Sequence, residues 1–162
     1  EGRDNMSNTE ISVCPADISD ADVRRLIVAH QEHGLRHYPV ESDHSLSFDE
    51  YDADSFKLLA AWEAKRCLGV VALNLIDREN GELKSMHVLE ASRGRGVGKI
   101  LVQAVLAEAR NLGLKKVWLE TGTREASAAA RHLYQRAGFR ECPPFSNYSD
   151  DPESIFMVRE VE

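Results

Sequence analysis

The hydrophobic and polar positions change period several times along the chain, and each change marks an element. Residues Glu10 to Cys14 alternate as a short strand, and Ser19-Asp20-Ala21-Asp22 then offers a capping start for a helix. That helix carries Val23, Leu26, Ile27 and His30 on one face and is expected to fade near Gly34. From Arg36 to Ser55 the chain is polar, holds Pro39 and is rich in acids from Glu41 to Asp54, with Tyr38, Leu46, Phe48 and Tyr51 interspersed. This is long for a structureless loop, which predicts a short helix inside it and a role in shaping a binding site. Phe56 to Ala64, Leu68 to Ile76 and Glu82 to Leu89 are β-rich apolar runs joined by short breaks, the pattern of an antiparallel meander. A helical period follows from Ile100 to Ala109 and stops at Gly113. Lys116 to Thr121 is a strand, Ala126 to Ala137 a helix closed by Gly138, and Phe139 to Glu141 and Ser154 to Val161 supply the last two strands. The sum is a mixed α/β sheet with no internal repeat.

Composition narrows the class without changing that picture. The chain has 162 residues, 43% hydrophobic and 29% charged, the range of an ordinary globular domain. A formal charge of -7 works against nucleic acid or an anionic membrane as partner and favours cationic acceptors. Cys14, Cys67 and Cys142 are odd in number and widely spaced, so neither a disulfide framework nor a zinc site is expected. No apolar run is long enough to span a bilayer and the start lacks a signal-peptide core, so a cytoplasmic location is the default expectation. Glu1-Gly2-Arg3 looks like the end of a protease-cleavage linker. Residues 1–5 are therefore read as a remnant and 6–162 as one domain.

The chemistry begins at Arg93-Gly94-Arg95-Gly96-Val97-Gly98-Lys99, between a strand and a helix. A helix N-terminus offers unpaired N–H groups and positive dipole character, and glycines remove the Cβ atoms that would hold a phosphate away from them. A Walker loop fails because Ile100 follows Lys99 and the first glycine is missing; a dinucleotide loop fails because the third glycine arrives one residue early.

The run resembles the R-x-x-G-x-G pyrophosphate motif of the GNAT superfamily, with Arg93, Gly96 and Gly98 in the defining places. Ala130 to Phe139 is similar to that family's A-x-x-L-Y-x-x-x-G-F segment, and Met86-His87-Val88 falls where its L-x-V strand precedes the phosphate loop. Leu119 to Gly122 and Pro144 to Tyr148, followed by Asp151-Pro152, look like an uncharacterised bacterial subgroup. Two positions depart from the pattern: Ser127 stands where Asn is frequent, and Glu90 where Pro is common before the loop. The resemblance implies a single-domain α/β GNAT fold: a mixed, mostly antiparallel sheet flanked by helices, with a splayed strand pair forming the acyl-CoA cleft. It implies acetyl-CoA as co-substrate, held by Met86, His87, Val88, the run Arg93, Gly94, Arg95, Gly96, Val97, Gly98 and Lys99, and by Ser127 and Tyr134.

The implied reaction is transfer of an acetyl group to a primary amine, carried by a small molecule or exposed on a protein. The alternative is a catalytically weak acetyl-CoA-binding regulatory module. Tyr134 matches the family's general acid, since a phenol of reference pKa about 10 stays protonated at neutral pH. Glu82 is the first candidate for the general base, because the family commonly places a carboxylate early on this strand; Glu120 is the second, and His87 lies on the same strands beside them. Strict alternation puts Glu82 on the same side as Lys84 and Met86, with His87 on the other. His30, His33 and His37 have helical spacing, but Gly34 interrupts them and no metal is expected. The acceptor would be chosen by Arg36 to Ser55 and Pro143 to Asp151, and a homodimer would form through the final strands or the open sheet edge.

Overall fold

The computed structural model describes residues 10–42 and 46–161. The residues read as a remnant, Glu1 to Asn5, and the acid Asp43 lie outside the described residues. The elements are β1 (Ile11–Pro15), α1 (Ala21–His37), α2 (Phe48–Tyr51), β2 (Phe56–Glu63), β3 (Arg66–Leu75), β4 (Asn80–Val88), α3 (Val97–Asn111), β5 (Lys116–Gly122), α4 (Ala128–Arg136), β6 (Arg140–Cys142) and β7 (Ser154–Glu160). Short 3-10 turns occupy Val40–Ser42, Glu90–Ser92 and Glu125–Ser127.

The strands form one sheet in the order β1-β2-β3-β4-β5-β7-β6. Every neighbouring pair is antiparallel except β4 and β5, which run parallel across the α3 crossover. The expected meander is therefore β2 to β4, and the expected α/β architecture holds.

Asp20 starts α1, its carboxylate accepting from the backbone N–H groups of Asp22 at 2.9 Å and Val23 at 3.2 Å. The helix does not end at Gly34 as expected but runs to His37. Gly34 adopts helical geometry there, and the stop comes from Pro39, whose ring forces Tyr38 into extended backbone at φ -136°, ψ 153°. Gly34 thus lies inside the helix and does not interrupt the histidines.

The sheet buries both faces. Leu59, Val71, Leu73, Leu83, Val117 and Leu119 pack against Leu101, Val102 and Val105 of α3 and against α4. On the other face Leu58, Ala60, Val70 and Ala72 pack against Val23, Leu26 and Ile27 of α1 and Tyr51 of α2.

A β-bulge corrects the alternation expected on β4. Ala72 faces Lys84 and Val70 faces His87, so Ser85 and Met86 together oppose Val71. Ser85 takes φ +60° there, and its hydroxyl lies 2.6 Å from that of Tyr51. The extra residue reverses the faces beyond it. Glu82, Lys84 and His87 therefore share the α1 side, while Met86 packs with the α3 core.

Leu101 of α3 is fully buried against the sheet. Leu101→Ala is expected to lower stability by about 2–5 kcal/mol in urea unfolding. A loss below about 1 kcal/mol would contradict this account of the packing.

Candidate active site

Pairing between β4 and β5 ends at Leu83 opposite Leu119, although β4 continues to Val88 and β5 to Gly122. Beyond that point the strands part, and a cleft of about 360 Å³ opens between them. β5 remains paired with β7 along its whole length, so the backbone groups lost to pairing are those bordering the gap.

The separation brings together residues far apart in sequence. Glu82, Met86, His87 and Val88 line the cleft from β4, Glu120 from β5, and Ser127 and Tyr134 from the start and body of α4. Arg93 lines it at the end nearest α3. The rest of the glycine run continues from Arg93 outside the lining. Gly94 and Gly96 have φ of +86° and +82°, and a Cβ built on either would meet nothing within 4 Å. Both therefore supply left-handed backbone and leave open space before the N-terminus of α3, for which Gly96 is the cap. This fits a diphosphate. Val97 is buried in the core and offers only its backbone, and Lys99 is exposed on the first turn of α3. Arg95 turns its guanidinium onto both carboxylate oxygens of Glu63, which leaves its backbone N–H for a ligand.

Tyr134 is 5% exposed and stacks edge-on to Phe139 at 6.0 Å between ring centroids. Burial, and then the negative charge of Glu120, raise its phenol well above the usual value, so it is protonated throughout the neutral range. Glu82 is also 5% exposed, but it is not isolated. The Tyr148 hydroxyl donates to its Oε2 at 2.6 Å, and Lys84 Nζ donates to the Tyr148 oxygen at 2.9 Å and reaches Glu82 Oε2 at 3.4 Å. Burial, then Glu82, push the Tyr148 phenol upward, so it keeps the proton it donates. Glu120 accepts from Ser154 Oγ at 2.7 Å.

The side-chain partners of Glu82 and Glu120 are not readable from the sequence. Ser154 and Lys84 carry no motif, and Tyr148 is marked only by its place in the Pro144 to Tyr148 run, in the loop expected to shape the acceptor end. Ser127 likewise meets an unforeseen partner: its Oγ lies 2.8 Å from the hydroxyl of Tyr38.

His30 and His33 of α1 face His87, with ring centroids 5.7 and 6.4 Å away. Among the described residues no group of three or more His, Cys, Asp or Glu side chains could hold a metal ion. The three cysteines are free thiols. Also among the described residues, no helix is long and apolar enough to cross a membrane.

The model of the acetyltransferase (GNAT) family matches residues 22–139, and the chain belongs to that family. It is an acetyl-CoA-dependent acetyltransferase. Among its relatives is the uncharacterised N-acetyltransferase YsnE of Bacillus subtilis (strain 168), 32% identical over 90% of this chain and 96% of that one. An IAA acetyltransferase of Azospirillum brasilense is 37% identical over 75% of this chain and 79% of its own length. A GNAT family acetyltransferase of Elizabethkingia anophelis, solved with acetyl-CoA bound, is 23% identical and aligns over 93% of this chain and 97% of that one with a TM-score of 0.69.

Burial, then the positive charge of Arg93 and the neighbouring His33, lower the His87 imidazole to about 4. The unfolded chain takes up this proton near pH 6.5, before the folded one does. Stability is therefore expected to fall as pH drops from about 6.5 towards 4, and His87→Gln to flatten that slope. A His87 titration near pH 6.5 by NMR would contradict it.

Proposed function

We propose that the chain transfers the acetyl group of acetyl-CoA directly to a primary amine, in the gap where β4 and β5 part. The observation that carries this reading is the convergence of Glu82, Glu120 and Tyr134 on that gap, which Arg93 also lines and from which the open glycine loop continues.

Arg93 and the backbone N–H groups from Gly94 to Gly98, with Lys99 beside them, hold the pyrophosphate. The unpaired edge of β4 from Met86 to Val88 takes the pantetheine arm, and Ser127 and Tyr134 border it from α4. Acetyl-CoA, when bound, supplies a thioester whose carbonyl carbon is the electrophile. A main-chain N–H near Val88 polarises that carbonyl, which a backbone donor does whatever its side chain.

Glu82 accepts the proton that the amine gives up as its nitrogen bonds to the acetyl carbon. Tyr148 and Lys84 occupy its Oε2, which holds the carboxylate in one orientation and leaves Oε1 to do so. Tyr134 delivers its phenolic proton from Oη to the sulfur as the carbon–sulfur bond breaks. Burial suits it to this, since its proton is not lost to solvent beforehand. Glu120, anchored by Ser154, is the alternative base.

Thiol release should depend on an added amine. Tyr134→Phe and Glu82→Gln are each expected to lower kcat by about 100-fold or more while the dissociation constant for acetyl-CoA changes by less than about threefold. An unchanged kcat in Tyr134→Phe across acceptors would contradict the acid assignment. Tight acetyl-CoA binding by calorimetry with no transfer to a broad amine panel would instead favour the regulatory module.

A further inference from the structure

We infer that the acceptor is a compact small-molecule amine and that polypeptides are excluded, because residues 37–42 form a strap tied across the acceptor end of the cleft. This rests on the acetyl-transfer reading above.

The strap begins where α1 ends. The Tyr38 hydroxyl accepts from the Arg124 backbone N–H at 2.9 Å and shares its second hydrogen bond with Ser127 Oγ. Arg124 Nη1 donates back to the carbonyl of His37 at 2.9 Å, and its Nε and Nη2 grip Glu153 at 2.7 and 2.9 Å. Further along, Ser42 Oγ donates to Asp151 Oδ2 at 2.7 Å. Three segments distant in the chain are thereby joined: the end of α1, the β5–α4 connection, and the loop entering β7.

An exposed ion pair such as Arg124–Glu153 is weak by itself. The closeness of the Tyr38 ring to the backbone of β5 is the stronger tie. A Cβ on Gly122 would lie 1.9 Å from the Tyr38 oxygen, so the ring sits directly on the last residue of β5 and depends on glycine there. Arg131 secures the other side of that contact, its Nη1 donating at 2.8 Å to the carbonyls of both Gly122 and Arg124.

The consequence is steric. Tyr38, Ser42, Tyr148 and Glu153 line the same cleft as the carboxylates of Glu82 and Glu120, together with residues of α1 and α4. An extended polypeptide presenting its terminal amine needs an open exit on the acceptor side for the residues that follow. The strap crosses that path. A molecule with one amine and a few attached atoms does not need the exit.

The test compares small primary amines with the same amine at the N-terminus of a ten-residue peptide, by thiol release and mass spectrometry. The peptide is expected to show kcat/KM about 100-fold lower or worse. Tyr38→Ala, its folding checked by circular dichroism, is expected to recover about tenfold or more of that loss. Equal turnover of peptide and small amine by the unaltered protein, or no gain in Tyr38→Ala, would overturn the inference.

Amide hydrogen exchange tests the strap without any acceptor. The Arg124 amide is expected to be protected, and Tyr38→Phe to speed its exchange about tenfold or more. Unprotected exchange at Arg124 in the unaltered protein would also overturn the inference. Failure of every amine would instead count against acetyl transfer, while the exchange result would still decide the strap.

Discussion

The structure depends on the point where β4 leaves β5. A parallel pair deep in a sheet would normally stay bonded to its end, because unpaired backbone groups away from water are costly. Here β5 is held along its whole length by β7, so the departure falls to β4. The bulge at Ser85 comes two residues after the last paired position, Leu83, and adds the local bend and twist that bulges bring. The result is a polar edge inside the molecule, in reach of a ligand and backed on both faces by packed helices.

The same bulge sets the chemistry of the cleft. By reversing the faces of β4 it places His87 beside Glu82 and Lys84 on the α1 side, and it sends Met86 to the apolar side. The buried charges of Glu82 and Lys84 are not left alone. Tyr148 bridges them, giving its proton to the carboxylate and its lone pair to the ammonium. A buried pair of this kind is weak evidence for stability but fixes geometry well. His87 solves the same problem differently, by staying neutral beside Arg93.

Much of this was legible in the sequence because it is local. The meander, α3 and its glycine run follow from hydrophobic period and turn residues, and the position of that run between a strand and a helix already pointed to a diphosphate. The family resemblance added Tyr134 and the splayed pair. What could not be read is what long-range contact decides. A serine at φ +60° has no sequence signature, so strict alternation misplaced His87 and Met86. Gly34 looked like a helix stop, yet Pro39 set the end of α1. Tyr148, Ser154 and Arg124 acquire partners only when loops far apart in the chain meet, and Tyr38 can rest on β5 only because residue 122 is glycine.

The proposed acetyl transfer depends on a cleft created by strand separation and on the glycine run from Arg93 to Gly98 as its proposed phosphate site. The most direct test is an experimental structure of the chain with CoA bound. The expected result places the pyrophosphate on the backbone N–H groups between Arg93 and Gly98 and the pantetheine arm between β4 and β5 beyond Leu83 and Leu119, with its thiol facing Tyr134. A CoA molecule bound elsewhere, or β4 and β5 paired to their ends, would contradict it.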